Sequence, residues 1–195
     1  MCIRGHSRRH RGFSLVELIL FIVIVSASIA GVLVAIDRTA RASANPLIIK
    51  QALAIAEALL EEVELMPFTF CDPNDAQAAT AQSATIGAAG CATVIEAIGP
   101  EGETRNDPNT PFDNVNDYAG YDSAPGGITD ITGGTPIAGL EAYRAQVAVA
   151  AATLGGITDD ANGQANVLLI TVTVTGPANT TVVLNGYRTK YSPRI

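Results

Sequence analysis

The chain lacks tryptophan, and its two histidines, His6 and His10, both lie within the first twelve residues. Aromatic residues make up only 5% of the 195 positions, so any soluble core built from this sequence must be modest. Histidine is the commonest acid–base group of enzymes, and the chain has none beyond residue 12. The sequence also contains no GxSxG motif, phosphate loop or metal-type cysteine cluster. These absences argue against an enzyme.

Charged residues are also scarce, at 16%, and they are unevenly placed. The first twelve residues carry four arginines and no acid. The remaining residues carry eight basic against nineteen acidic side chains, a formal balance of −11. Because an acidic body repels a phosphate backbone, we expect no nucleic-acid partner.

Cysteine is limited to Cys2, Cys71 and Cys91, and an odd number is unusual in an exported protein. Removal of the basic N-terminal segment together with Cys2 would leave one pair. In an oxidising compartment we expect Cys71 and Cys91 to form a disulfide, with two reduced, buried thiols as the alternative.

One long apolar run is present at residues 13–36, with the sequence FSLVELILFIVIVSASIAGVLVAI, and Glu17 is its only charge. As a helix, the uncharged residues 18–36 would be about 28 Å long, which is close to the thickness of a hydrocarbon core. Arginines precede the run and an acidic region follows it. The positive-inside rule therefore predicts a single pass with the N-terminus in the cytoplasm.

Three interpretations of this N-terminus compete. The run is a plain transmembrane anchor, or a secretory signal peptide cleaved after Ala30, or a fibre-forming helix whose leader is removed between Gly12 and Phe13. Glu17 distinguishes them, because a carboxylate inside an apolar segment costs a few kcal/mol, on the order of 3 kcal/mol at the membrane centre. Only the third interpretation gives Glu17 a role.

Residues 11–18, RGFSLVEL, resemble the prepilin motif of type IV pilins and type II secretion pseudopilins. The resemblance implies cleavage after Gly12 and methylation of the new N-terminal residue, Phe13. It also implies that the Glu17 carboxylate pairs with the Phe13 amine of a neighbouring subunit during assembly. The implied partners are other major and minor pilin subunits, a prepilin peptidase and methyltransferase, an inner-membrane assembly platform and membrane lipid. The implied location is the bacterial inner membrane, then the periplasm and a pilus at the cell surface.

After residue 36 the chain becomes amphipathic, and we expect the helix to continue over residues 37–67. Asn45 and Pro46 either start a second helical segment or kink one long helix. An apolar stripe follows at spacings of three and four, and it ends before the helix-breaking Pro67. Its members are Ile48, Ala52, Ile55, Leu59, Val63 and Met66.

Residues 68–142 are rich in glycine, proline, asparagine and aspartate, and their composition predicts irregular structure. Strands are predicted at residues 143–151, 167–175 and 181–188, the last two joined by a hairpin turn at Gly176-Pro177-Ala178-Asn179. We therefore predict an α+β fold, in which a long N-terminal membrane-spanning helix packs on a small antiparallel β-sheet of three or four strands. The expected divisions are a leader at 1–12, a membrane or fibre-core helix at 13–36, its amphipathic continuation at 37–67 and a periplasmic domain at 68–195.

Oxygen-bearing side chains lie close together at Asp113, Asn114, Asn116 and Asp117. Calcium prefers such ligands, but the spacing is not that of an EF-hand, and asparagine- and aspartate-rich segments commonly form plain turns. We expect no cofactor, and calcium bound by these four residues is the alternative.

Scattered segments give a narrower resemblance. The segments 51–57, 60–62, 67–68, 112–118 and 186–189 together resemble a minor pilin of the mannose-sensitive haemagglutinin (MSHA) pilus systems. This resemblance implies a low-abundance subunit that is incorporated into a fibre or primes its assembly. The alternatives are a minor pseudopilin of a type II secretion system and a tip-located adhesin or ligand-binding module.

Overall fold

The computed structural model describes residues 14–132, 134–159 and 163–190, with the backbone alone for residues 39–45. Its elements in chain order are helix α1 (Leu15–Leu65), a 3-10 helix η1 (Val115–Tyr118) and strands β1 (Arg144–Ala151), β2 (Val167–Gly176) and β3 (Thr180–Thr189). Contacts between Cα atoms divide the chain into two compact units, Met1–Asn45 and Pro46–Ile195. Helix α1 runs through Pro46, so of the two alternatives for this position the structure has one helix with the proline inside it.

The first unit contains an apolar stretch of α1, Leu15–Arg38, whose mean hydropathy is 3.0 and of which nothing is buried. By length and composition this stretch is able to cross a membrane. Two hydroxyls interrupt the hydrocarbon surface, and each donates a hydrogen bond to the carbonyl four residues earlier. These bonds join Ser26 Oγ to the Ile22 oxygen at 2.7 Å and Ser28 Oγ to the Ile24 oxygen at 2.8 Å. The serines therefore need no partner outside the helix.

The second unit begins with the amphipathic part of α1. The predicted stripe is confirmed: Ala52, Leu59 and Val63 are buried, together with Ala56. The other predicted members, Ile48, Ile55 and Met66, are partly buried against the same core, as is Leu60 beside them. Because these residues recur every three or four positions, they lie on one face of the helix and cover one face of the sheet.

The sheet is antiparallel in the order β1-β2-β3, with Val147 opposite Val172 and Val172 opposite Leu184. Alternate side chains of β1 and β2 are buried, as expected for strands with one face on a core. The alternating buried set is Ala145, Val147, Val149, Leu168, Ile170, Val172 and Val174, and Val167 at the start of β2 is buried as well. The α+β architecture predicted from the sequence is therefore confirmed, with three strands.

Two backbone features shape this sheet. Pro177–Asn179 forms the predicted hairpin turn, in which Ala178 and Asn179 have φ values of 55° and 57°. On β3, a side chain at Gly186 would meet the Glu64 carboxylate and the end of the Leu60 side chain of α1, and both would have to shift to make room for it.

The loop region, residues 68–142, contains only η1 and isolated bridges among its described residues. It covers the outer edge of β1, where the Gly120 amide bonds to the Val147 carbonyl at 3.1 Å and the Val147 amide bonds to the Tyr121 carbonyl at 3.0 Å. Tyr118 is 1% exposed, and its ring lies edge-on to Phe112 with centroids 4.9 Å apart. These contacts attach the loop region to the sheet.

Candidate functional site

The sequence-predicted processing site, Gly12 and Phe13, lies outside the described residues. Glu17 lies in the first turn of α1, where the positive end of the helix dipole favours an acid, and its side chain is exposed. Its neighbours Val16 and Leu18 are 68% and 55% exposed. The structure therefore places one carboxylate on an otherwise apolar helical surface.

In the loop region, Cys71 and Cys91 form a disulfide, with their Cα atoms 5.5 Å apart and both residues fully buried. The disulfide expected from the sequence is thus present. It joins the first residues after α1 to a turn twenty positions further on.

Asp75 connects the two ends of the segment that the disulfide encloses, a role that no pattern in the sequence indicates. Its carboxylate accepts hydrogen bonds from the amides of Gln77, Ala92, Thr93 and Val94, between 2.7 and 2.9 Å long, and one from the Thr93 hydroxyl at 3.0 Å. The bond from Val94 and then that from Ala92 contribute most to holding the pKa of Asp75 well below its usual range.

A charged pair links α1 to the loop region. Arg105 donates from Nε and Nη2 to the two carboxylate oxygens of Glu62, each at 2.6 Å, and the Tyr118 hydroxyl donates to Glu62 Oε1 at 2.7 Å. The exposed fractions of the two charged side chains are only 9% and 13%. Burial opposes the charge on Arg105, but the hydrogen bonds and charge of Glu62 together raise the pKa of Arg105.

An acidic cluster, which we define as Glu103, Asp113 and Asp117, lies beside η1. One carboxylate oxygen from each residue falls within 4.8 Å of the others. Asp117 is 3% exposed, and its Oδ2 accepts the amides of Asp113 at 3.0 Å and Asn114 at 2.7 Å. Two of the four oxygen-bearing residues picked out in the sequence are therefore brought together, and Glu103 joins them from ten positions earlier.

The other two sequence candidates have different surroundings. Asn114 is the N-cap of η1: its Oδ1 accepts the Asn116 amide at 3.4 Å, and its Nδ2 donates to Thr69 Oγ1 at 2.8 Å. Asn116 is 6% exposed, and its Oδ1 has no hydrogen-bond partner within the described structure. Glu96 Oε1 and Glu103 Oε2 are likewise buried without a partner there.

Burial and mutual repulsion disfavour the charged forms of these carboxyl groups. Burial, followed by the charges of Asp117 and Asp113, raises the pKa of Glu103 to about 7. Burial and then the charge of Asp72 raise the pKa of Asp113 to about 6. Burial also raises the pKa of Asp117, and burial with the charge of Asp117 raises the pKa of Glu96 to about 9.

A groove of about 480 Å³ lies between α1 and the loop region. Ala54, Ile55 and Ala58 of α1 form one wall, and Ile128, Ile137 and Leu140 form part of the other. The groove is within the size range of small-molecule sites, and most of its lining is apolar.

Residues 7–33 match the family model described as the prokaryotic N-terminal methylation motif. The match covers Gly12, Phe13 and Glu17 together with most of the apolar stretch. No curated protein and no solved structure matches the chain. The motif supports a precursor of the type IV pilin or pseudopilin kind, which is a class of structural subunits, and the exposed apolar helix fits membrane anchoring and fibre assembly.

Proposed function

We propose that the chain is the precursor of a minor pilin, cleaved by a prepilin peptidase between Gly12 and Phe13 and then incorporated into a pilus fibre or used to prime its assembly. The observation that carries this proposal is the methylation motif at residues 7–33, which overlaps a helix of 24 apolar-rich residues with no buried surface. Such a helix is costly in water, so it requires lipid or neighbouring helices around it. The proposed topology is one pass through the inner membrane with the N-terminus in the cytoplasm.

Glu17 supplies the proposed register of assembly. Cleavage creates an amine at Phe13, and a carboxylate inside an apolar bundle is costly unless a positive charge offsets it. The Phe13 amine of an adjacent subunit is that charge. Only cleaved subunits carry the Phe13 amine, so this pairing would admit only mature chains to the fibre.

Mass spectrometry of the mature N-terminus, from a membrane fraction, tests the processing step. We expect a chain that starts at methylated Phe13. A start at Gly31 would indicate a secreted protein, and an intact Met1 would indicate a plain membrane anchor; either result contradicts the proposal.

Replacement of Glu17 tests the assembly step. Glu17→Ala should leave cleavage at Phe13 intact but reduce incorporation into fibres by at least tenfold, as measured by immunoblot of sheared fibres. Ser26→Ala is the matched control, because its hydroxyl is already bonded within the helix and its loss should not matter. Normal incorporation of Glu17→Ala would refute the role of Glu17.

Within this class, we infer a subunit similar to the minor pilin MshD of MSHA systems, on the resemblance of residues 51–57, 60–62, 67–68, 112–118 and 186–189. Loss of fibres on deletion of the gene would support a pilus-priming role. Loss of enzyme export with fibres unchanged would instead indicate a type II secretion pseudopilin. The apolar groove favours one further candidate, a ligand-binding module at the fibre tip, for which deletion would abolish adhesion but leave fibre number unchanged.

A further inference from the structure

A small pocket lies next to the residues that follow α1. We define this Glu96 pocket by six of its lining residues: Phe68, Phe70, Glu96, Ile98, Asn116 and Lys190. Its volume is about 140 Å³, and among the described residues it shares none of its lining with the groove along α1. We propose that the Glu96 pocket binds an alkylammonium group, that is, a protonated primary amine on a short hydrocarbon chain. This inference does not depend on the proposed function.

Two buried oxygen atoms in the lining have no hydrogen-bond donor within the described structure. They are Glu96 Oε1 and Asn116 Oδ1. Asn116 is only 6% exposed, so its side chain faces the pocket and not bulk solvent. Buried oxygens in native proteins nearly always accept a hydrogen bond. Since both of these atoms are acceptors, the group that belongs in the pocket is a hydrogen-bond donor.

The charges around Glu96 favour a donor that is positively charged. Burial comes first among the causes that raise the pKa of Glu96 to about 9, and the repulsion of neighbouring carboxylates adds to it. These neighbours are Asp117, Glu101, Asp72 and Asp113. A cation in the pocket would reverse both effects, because it stabilises the ionised form of Glu96 and offsets the surrounding negative charge.

The walls of the pocket fit a hydrocarbon chain that carries such a charge. Phe68, Phe70 and Ile98 supply apolar surface. The Lys190 Nζ atom lies 4.8 Å from the centroid of the Phe68 ring and 3.6 Å from that of the Phe70 ring. The rings therefore already accommodate one ammonium on a four-carbon stem. At about 30 Å³ for each non-hydrogen atom, the pocket has room for about five, which is the size of n-butylammonium.

A ligand-detected NMR titration of the full chain tests the proposal, in micelles of an uncharged detergent and in a buffer free of amines. We expect saturable binding of one n-butylammonium ion per chain. The neutral molecule n-butanol has the same number of non-hydrogen atoms and should bind at least tenfold more weakly. Absence of saturable n-butylammonium binding would mean that the two oxygens are bonded to water only. Equal binding of n-butanol would mean that charge is not recognised, and either result would overturn the proposal.

Variants locate the site. Glu96→Gln keeps the shape of the side chain but cannot ionise, and it should weaken n-butylammonium binding at least tenfold. Asn116→Leu removes the second acceptor and breaks no described hydrogen bond of Oδ1, and it should weaken binding several-fold. Glu61→Gln removes an exposed carboxylate of α1 and is the matched control for net charge, with no change expected. Unchanged binding by Glu96→Gln would overturn the proposal.

The pH dependence of binding gives a readout that a purely structural role of Glu96 would not change. Glu96 must lose its proton to pair with the ligand, and its pKa is about 9. An alkylammonium, like lysine, stays charged up to about pH 10. The affinity of the wild type should therefore rise by about tenfold from pH 7 to pH 8, and that of Glu96→Gln should stay constant. A flat profile in the wild type would contradict the proposal.

Two sources could supply the ammonium group: a free small amine, or a lysine side chain of another polypeptide. Nα-acetyl-lysine amide distinguishes them, because it carries the same group on a peptide backbone. Affinity equal to that of n-butylammonium would identify a lysine side chain as the ligand, and affinity at least tenfold lower would identify a free amine. If n-butylammonium binds only to a chain truncated after Lys190, the end of the chain itself fills the pocket and the proposal fails.

Discussion

The buried side chains of β1, β2 and the facing side of α1 are all aliphatic, whereas half of those in the loop region are polar. The polar ones are Asp75, Asn114, Asn116 and Asp117, and the others include the disulfide pair. Aliphatic packing is non-directional and depends on buried area, while polar contacts depend on particular pairs of atoms. The two regions should therefore respond differently to substitution, reduction and pH.

The largest expected effect is in the sheet. Ile170 is fully buried at the centre of β2, and Ile170→Ala should lower the free energy of unfolding by about 4 kcal/mol through lost burial and a cavity. Ile98→Ala in the loop region is the matched control: it is 58% exposed and should cost about 0.5 kcal/mol or less. Urea unfolding followed by tyrosine fluorescence measures both, since all five tyrosines follow residue 117. Equal losses of unfolding free energy in the two variants would contradict the distinction between the regions.

Next is the disulfide. Replacing Cys71 and Cys91 together by serine should lower the free energy of unfolding by about 3 kcal/mol, as the chain-entropy model gives for a loop of this length. Limited proteolysis should then cut within residues 72–90 first, while the sheet stays resistant. Dithiothreitol should reproduce the effect in the wild type and change nothing in the double variant. Cleavage that begins in the strands would contradict this order.

A smaller effect is expected at the charged pair between the regions. Glu62→Gln keeps the shape of the side chain but removes the charge that Arg105 needs, and it should cost about 2 kcal/mol. Adding Arg105→Met should restore part of that loss, because an apolar pair leaves no uncompensated buried charge. Urea unfolding of Glu62→Gln, Arg105→Met and the double variant gives the coupling free energy between Glu62 and Arg105. Strict additivity of the two changes would show that the contact contributes nothing.

The smallest effect is confined to acidic pH. Because the pKa of Asp75 is lowered in the folded chain, its stabilising contribution is complete above the unfolded value of about 4 and is lost as pH falls towards the folded value. The melting temperature of the wild type should therefore fall between pH 5 and pH 3 more steeply than that of Asp75→Asn. Parallel curves would mean that the carboxylate does not contribute through its charge.

Periodicity explains what could be predicted from the sequence. Local spacing alone predicts the buried face in two elements: the stripe from Ile48 to Met66 on α1 and the alternation around Val147 on β1. Neither prediction requires a known contact with a distant part of the chain. The predicted strand at residues 181–188 differs from β3 by one residue at each end. On a regular helix or strand, the position of a residue in the sequence determines the face on which its side chain lies.

The loop region could not be predicted in this way, since its contacts join distant positions with no repeating pattern. No pattern in the sequence marks Glu62 as a contact residue, because its partner Arg105 is 43 residues away. Asp75 reaches amides 17 to 19 residues further on. Glu103 similarly gave no local sign of its closeness to Asp117, whereas the disulfide was predictable because only one cysteine pair remains beyond residue 12.

The inward-bonded serines of the apolar stretch bear on how such a helix recognises another. The Ser26 and Ser28 hydroxyls donate to carbonyls of their own helix. Neither therefore has a free donor that would fix the rotation of this helix against a neighbouring helix. Between residues 15 and 36, Glu17 is the one ionisable group, and it lies at one end. If this stretch packs against a second copy as proposed, Glu17 would set how far the two helices slide past each other, and the two serines would not set the rotation of one helix about the other.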